Sequence, residues 1–559
     1  MTATAHTDQR AARARPPYPR TRVVRSRLGL AGSAFAVAFY LASLTPSLLP
    51  RAWYLQGIVS GLTAAMGYGV GATLGALVRK VWRRTYPRAT RIAWLILLVV
   101  APLLGLLFLA LGTGWQQELR ERVDMERMAT YDIVRIVAVS VLTFAVLLLI
   151  ARSLRLGTRR LIRLFGRWVP KPVAYGLGVA IAVYLVVGFI NGFLMDNLLT
   201  VADQTASLTN GTTSPGVVAP TSAMRSGSDG SAAPWHTLGK QGREFVATAP
   251  SREQLTTFAG KPAQEPIRLY AGLDSAGSVD ERAQLVVREM ERTGAFDRAV
   301  VAVITPTGTG WVDSDVTDSL EYMYAGDTAL VSMQYSYLPS VISFMVDQSK
   351  VSNAATALIG AVHAKWVTLP AATRPKLLLF GESLGSFGTE TAYRDLRSMT
   401  DGADGVLLVG PPFANPIRHD LVAARAAGSP IWDPVYPADP VEFTQNPADL
   451  RTPTGRPLKV VYLQNSSDPI VWWSPELLVQ RPEWLDQPRG PDVSPDMHWY
   501  PGVTFWQTAV DQVFATGVPA GHGHVYGSGV VDGWAALAPP PGWTAADTVR
   551  LRALLDAAR

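Results

Sequence analysis

Hydrophobic and polar positions split the chain into two regimes. Through residue 195, apolar stretches run over 28–49, 52–78, 92–114, 133–151 and 173–195. Each reaches the ~20 residues that carry a helix across a bilayer core. Their middles hold no Asp, Glu, Lys or Arg, and Asp132 and Arg135 fall at the start of the fourth. Such stretches in succession predict a multi-pass α-helical membrane domain of five spans rather than a set of buried core helices. Beyond about residue 235 the pattern shortens. Residues 280–296 and about 351–368 have helical periodicity, whereas Ala299–Thr305, Ala329–Tyr335, Lys376–Phe380, Val406–Val409 and Leu458–Leu463 are short continuous apolar runs. Apolar runs separated by helices predict a mostly parallel sheet with helices on both faces. Between the regimes, residues 196–234 are rich in Ser, Thr, Gly, Ala and Pro and predict a flexible linker. The expected organisation is a basic N-terminus (1–27), a membrane domain (28–195), the linker (196–234) and an α/β domain (235–559).

Charge gives these regimes a direction. Residues 1–171 carry 25 Lys/Arg against 6 Asp/Glu, and residues 172–559 carry 26 against 38, so the net +7 is the sum of +19 and −12. An acidic C-terminal part excludes a nucleic-acid-binding protein. The basic residues cluster before the first span (Arg10 to Arg27), after the second (Arg79, Lys80, Arg83, Arg84, Arg88, Arg91) and after the fourth (Arg152 to Lys171). The positive-inside rule then predicts a plasma-membrane protein with its N-terminus in the cytoplasm and its C-terminal domain outside. The spacings Gly57/Gly61, Gly67/Gly71/Gly75 and Gly188/Gly192 let helices approach closely. They suit contact within the bundle before a homo-oligomer face. Absent intramembrane charges argue against ion-coupled transport. The chain contains no cysteine, which excludes disulfides, thiol catalysis and Cys-ligated metals.

The chemistry is concentrated near one turn. Lys376–Phe380 runs directly into Gly381-Glu382-Ser383-Leu384-Gly385, with a helical stretch behind it. Glycines on either side of a serine permit a sharp strand-to-helix turn that lifts the hydroxyl above the sheet edge, the setting of an activated nucleophile. Ser383 is therefore the expected nucleophile. In the α/β-hydrolase chain order an acid and then a histidine follow. Asp468, in the loop after Leu458–Leu463, is the expected acid; Asp486, Asp492 and Asp496 lie in Pro-rich loops with no strand before them. The base comes from Gly521-His522-Gly523-His524-Val525-Tyr526. His524, followed by Val525 and Tyr526, is favoured over the glycine-flanked His522, and no further ligands cluster nearby to make the pair a metal site. No cofactor is expected. The oxyanion hole needs two N–H donors, expected from Leu384 and from Gly308 or Thr309 in the loop after Ala299–Thr305. Between acid and base, Trp472, Trp473, Trp484, Trp499 and Trp506 suit either core packing or an acyl-binding wall.

These motifs resemble the actinobacterial membrane-anchored α/β-hydrolase family, which has a hydrophobic N-terminal domain before its catalytic domain. The likeness is carried by Gly239–Val246 (GKQGREFV), Thr307–Val312 (TGTGWV), Gln334–Ser340 (QYSYLPS), Phe380–Gly385 (FGESLG), Ser467–Ser474 (SDPIVWWS) and Val518–Tyr526 (VPAGHGHVY). The resemblance implies an α/β-hydrolase fold and a serine hydrolase using Ser383 and Asp468; it names no reaction beyond hydrolysis. A membrane-anchored esterase is the expectation, with membrane lipids around it and an ester, lipidic or not, as substrate. An envelope acyltransferase would use the same residues, and a non-catalytic binding protein could keep the fold. Residues 411–456, rich in Pro, fall where such folds carry a cap or a surface loop.

Overall fold

The structure, a computed structural model, describes residues 28–82, 86–128, 132–188, 206–338, 342–343, 348–437, 440–450 and 457–558. The N-terminal unit is helical: α1 (Leu30–Ser43), α2 (Trp53–Val81), α3 (Pro87–Arg122), α4 (Ile133–Phe165) and α5 (Lys171–Gly188). Three of these, α2, α3 and α4, are long and apolar enough to cross a membrane, not five. The first expected span stops early. Thr45 precedes Pro46, which disfavours helix at Thr45 and brings no N–H, and Pro50 repeats the break. The 14 residues of α1 rise about 21 Å, short of the ~30 Å bilayer core. The last part of the expected fifth span, residues 189–195, lies outside the described residues. On α3 and α4, Leu98, Leu103, Leu106 and Leu142 are each more than 60% exposed, a surface that suits lipid. The α2 glycines face inward: Gly57 and Gly61 abut Val139, Ser140 and Thr143 of α4, and Gly67 and Gly71 abut Phe35, Phe39 and Ala31 of α1.

The C-terminal unit is built on a seven-stranded sheet of order β1-β3-β2-β4-β5-β7-β6, parallel throughout. Its strands are β1 (Ile267–Ala271), β2 (Val300–Thr305), β3 (Thr328–Met333), β4 (Lys376–Glu382), β5 (Gly405–Val409), β6 (Val441–Thr444) and β7 (Val460–Leu463). Every strand residue except Lys376 is buried, which explains why β2, β3, β4, β5 and β7 appear in the sequence as unbroken apolar runs. β1 and β6 are additions to the predicted strands, and β6 falls inside the Pro-rich 411–456 segment. Val279–Thr293, Gln348–Trp366 and Leu384–Thr391 pack against one another over β1 to β4, and Ser314–Met323 with Val530–Leu537 covers β3, β5 and β7. Because all strands point the same way, the loops after β2, β4, β5 and β7 share one edge. The strand order reverses between β2 and β4, the place where open α/β sheets form their ligand crevice.

Of the expected flexible linker, residues 196–205 lie outside the described residues, and the rest is tied to the sheet domain. Ser226 N donates to Arg268 O (3.1 Å) and Arg268 N donates to Met224 O (3.3 Å), so residues 224–226 lie along the free edge of β1. Ser231 Oγ and Ala232 N donate to Glu289 (2.7 and 2.9 Å). The small polar residues that look like a tether satisfy backbone groups of an otherwise open sheet edge.

The two units are packed together rather than strung apart. Leu48 and Leu49, in the α1–α2 turn, and Val123, after α3, share a core with Val471, Trp472, Leu477, Trp484, Leu485, Val493 and Met497. Arg51 Nε pairs with Asp511 Oδ1 at 2.7 Å with both side chains buried, and Leu48 N donates to Asp511 Oδ2 (3.2 Å). Gln507 Nε2 donates to Ser43 O and Thr45 O (3.2 and 3.0 Å). At the far end of the same face, Trp115 Nε1 donates to Asp496 (3.0 Å) and Arg122 Nη1 to Pro491 O (3.1 Å). The turns after α1 and α3 thus lie on the side of the bundle that meets the sheet domain, the side on which charge alternation groups them.

Candidate active site

Ser383 follows the middle strand of the sheet. Its φ of +54° and ψ of −124° are those of a strained turn, rare for a residue with a side chain. The turn closes because both flanking glycines are in contact with backbone. A Cβ on Gly381 would sit 2.5 Å from Gly385 O, and one on Gly385 would sit 2.2 Å from Thr305 O. The helix Leu384–Thr391 starts at the next residue, and Ser383 N donates to Val409 O (2.8 Å) at the end of β5.

Asp468 lies after β7 and is fully buried. His524 Nδ1 lies 2.6 Å from Asp468 Oδ2, and the Tyr526 hydroxyl donates to the same oxygen at 2.7 Å. Asp468 Oδ1 accepts from Ile470 N (2.8 Å), closing an Asx turn before Pro469. A carboxylate that accepts from Nδ1–H fixes the imidazole tautomer with Nε2 free to take a proton. The His524 ring packs closely on Gly410, where a Cβ would come 2.3 Å from Cε1. Gly410 immediately follows the Val409 carbonyl that holds Ser383, so β5 brings the serine and the histidine to neighbouring residues of one strand end. Among the described residues Ser383 Oγ makes no hydrogen bond to His524, and a contact of this kind is often long before substrate binds. Burial opposes charge on His524, but the charge and hydrogen bond of Asp468, and then the charge of Glu382, outweigh it and hold the imidazole pKa above its ordinary 6.5.

Of the expected oxyanion donors, Leu384 directly follows the turn, and Gly308 and Thr309 lie in the loop after β2, where Thr305 and Pro306 reach it. Leu384 N opens the helix, and Thr305 and Pro306 carbonyls touch Gly385. Thr307 N donates to Trp311 O and Gly310 N to Thr307 O (both 2.9 Å), and Tyr270 Oη donates to Gly310 O (2.7 Å). Among the described residues the N–H groups of Leu384, Gly308 and Thr309 donate to no protein acceptor. His522 stands apart. Its Nδ1 lies 3.0 Å from Asp492 Oδ2 and its Nε2 lies 3.2 Å from Asp124 Oδ2, so neither nitrogen is left over for the serine. No group of three or more His, Asp and Glu side chains suited to a metal occurs among the described residues.

Two functional-site neighbours have no signal in the sequence beyond their position. Glu382, beside the serine, is buried with Oε2 unpartnered. Burial first, then the charges of Asp313 and Asp468 against that of His524, push its pKa up to about 8. Asp492, passed over for lack of a preceding strand, is the partner of His522. Trp472 and Trp484 belong to the core shared with the helical unit, and Trp473 and Trp499 pack against it. All four therefore pack in or against this core, and Trp472 and Trp484 also line a groove. A groove of about 660 Å³ is lined by Phe413, Ile431, Val471, Trp472, Leu477 and Arg418 among others, and does not include Ser383.

The profile of the alpha/beta-hydrolase family matches residues 267–551, half of the chain. The chain belongs to the alpha/beta-hydrolase family. The profile of that family's N-terminus matches residues 44–250, so the helical unit and the strip along β1 form one further region of family likeness. That second match begins at Leu44, where the turn that packs against Asp511 begins. No curated protein and no solved structure matches the chain.

Proposed function

We propose that this alpha/beta-hydrolase is a membrane-anchored serine hydrolase that cleaves carboxylic esters outside the cytoplasm. The observation that carries the reading is the 2.6 Å His524–Asp468 contact, at the sheet edge where the strained Ser383 turn sits. Ser383 Oγ attacks the ester carbonyl as His524 Nε2 takes its proton. Asp468 holds Nδ1–H and stabilises the imidazolium that forms. Leu384 N–H and an N–H of Gly308 or Thr309 receive the oxyanion. The alcohol leaves with the proton from His524, and water repeats the sequence on the acyl-enzyme to regenerate Ser383. Membrane anchoring rests on α2, α3 and α4, and the orientation rests on the Arg-rich loops at the end of the bundle away from the sheet.

The test is labelling of membranes by a fluorophosphonate probe. Wild type is labelled; Ser383→Ala is present in the membrane at equal amount and unlabelled. Asp468→Asn and His524→Ala each lower turnover by on the order of 10³- to 10⁴-fold, because a triad acts as a unit. Equal labelling of Ser383→Ala would overturn the assignment.

A further inference from the structure

We propose that His522 is a positioning residue that ties the His524 loop to the helical unit, and that its doubly protonated form makes the tie. The inference rests on His524 being the base. The ring of His522 bridges two carboxylates, Asp492 on Nδ1 and Asp124 on Nε2. A neutral imidazole has one N–H and cannot donate to both; an imidazolium can. The contact continues inward. Asp492 Oδ2 also accepts from Ser467 Oγ (2.8 Å) and Gln445 Nε2 (2.8 Å), and Ser467 Oγ accepts from Gly523 N (2.9 Å). Asn465 Nδ2 donates to Gly523 O (2.9 Å). Gly523 precedes His524, so a continuous run of hydrogen bonds joins Asp124 after α3 to the backbone that sets the base. The loop has little stiffness of its own, since Gly521 and Gly523 take φ of +90° and +51°. It must be held by what it touches.

The charged groups facing His522 are Asp492, from the 490–497 loop, and Asp124, from the α3–α4 connection; its own loop contributes none. The hydrogen bond of Asp492, against burial and with the charges of Asp492 and Asp124, raises the His522 pKa above 6.5. The sign follows. The tie is complete below the ordinary pKa and is lost as pH rises through the raised one. His524 must be neutral to act, so activity climbs with pH on the acid side and falls on the alkaline side when His522 discharges.

The experiment measures kcat and KM against pH, with p-nitrophenyl butyrate, for the full-length wild type, Asp124→Asn and His522→Gln, each with fluorophosphonate labelling. Asp124 is 80% exposed, so its amide variant should fold. Asp124→Asn keeps the acid limb and moves the alkaline limb to lower pH, with KM unchanged, because the variant removes one of the charges that raise the His522 pKa. His522→Gln lowers kcat about tenfold, leaves KM within about twofold and abolishes that limb. Ionisation of Glu382 is common to all three and cancels in the comparison. Coincident alkaline limbs in wild type and Asp124→Asn overturn the inference, as does loss of more than about 10³-fold in His522→Gln, which would make His522 the base. Failure of the triad reading looks different: wild type unlabelled by the probe.

Discussion

At the residue scale, the candidate site holds Ser383 on a strained turn and Asp468 in a buried contact with His524. Ser383 was readable because glycines bracket it behind an apolar strand, and Asp468 because a strand precedes it. Glu382 was hidden, since nothing local says that the side chain between Gly381 and Ser383 turns into a closed pocket of carboxylates. Its environment makes a stability prediction. The Glu382 carboxyl titrates at about 8 in the folded chain and near 4.5 when exposed, so the fold is penalised progressively as pH rises between those values. Glu382→Gln removes the ionisation. Melting in detergent should show the variant more stable than wild type at pH 8.5 and no such gain at pH 4.5; a gain independent of pH would mean that packing rather than charge was relieved. Gly410 gives a second test. A methyl there would meet the His524 ring at 2.3 Å on a backbone of φ +55°. Gly410→Ala should cut kcat/KM at least ~10-fold while Ser383 remains labelled slowly by the probe, the result of a displaced base beside an intact turn.

At the element scale, the strands visible in the sequence are those with no charged residue in their interior; the charges of β4, Lys376 and Glu382, stand at its two ends. β1 was missed because Arg268 interrupts its apolar run; in the fold that guanidinium is buried against Glu321 and Asp318 (2.8 and 2.6 Å), so a sequence reader sees a polar break where the sheet has a paired charge. β6 was missed because Glu442 and the flanking Pro440 mark it as loop. The first apolar stretch failed differently. Its last residues are apolar for a protein core, Leu48 and Leu49 packing on Trp472 and its neighbours, and hydropathy cannot distinguish that core from lipid. The Arg51–Asp511 pair beneath this turn is fully buried, and removing one member of such a pair costs about 3–5 kcal/mol. Asp511→Ala should therefore lower the melting temperature of the whole chain and weaken probe labelling at Ser383. Replacing both, Arg51→Met with Asp511→Leu, should recover part of the stability. Unchanged melting of Asp511→Ala would show that the junction does not depend on the pair.

At the scale of the whole molecule, charge asymmetry foretold a two-sided protein but not that its halves share a core. The orientation is testable because the chain has no cysteine. Ser228 is a poor reporter, being buried and bonded to Arg225 O, whereas Val218 is 72% exposed. Val218→Cys should react with an impermeant maleimide on intact cells; reaction only after lysis would reverse the topology. Helix α3 adds a constraint of length. Its 36 residues rise about 54 Å, while the bilayer core takes about 30 Å, and its hydrogen bonds to the sheet domain among the described residues come near its end, at Trp115, Glu118 and Arg122. In the proposed orientation this helix would act as a gauge that holds the sheet domain off the leaflet. An ester bond lying among the acyl chains would then sit below the sheet domain and have to be drawn out to be cut. One carried on a headgroup, or on a polymer that projects from the surface, would be met without that step.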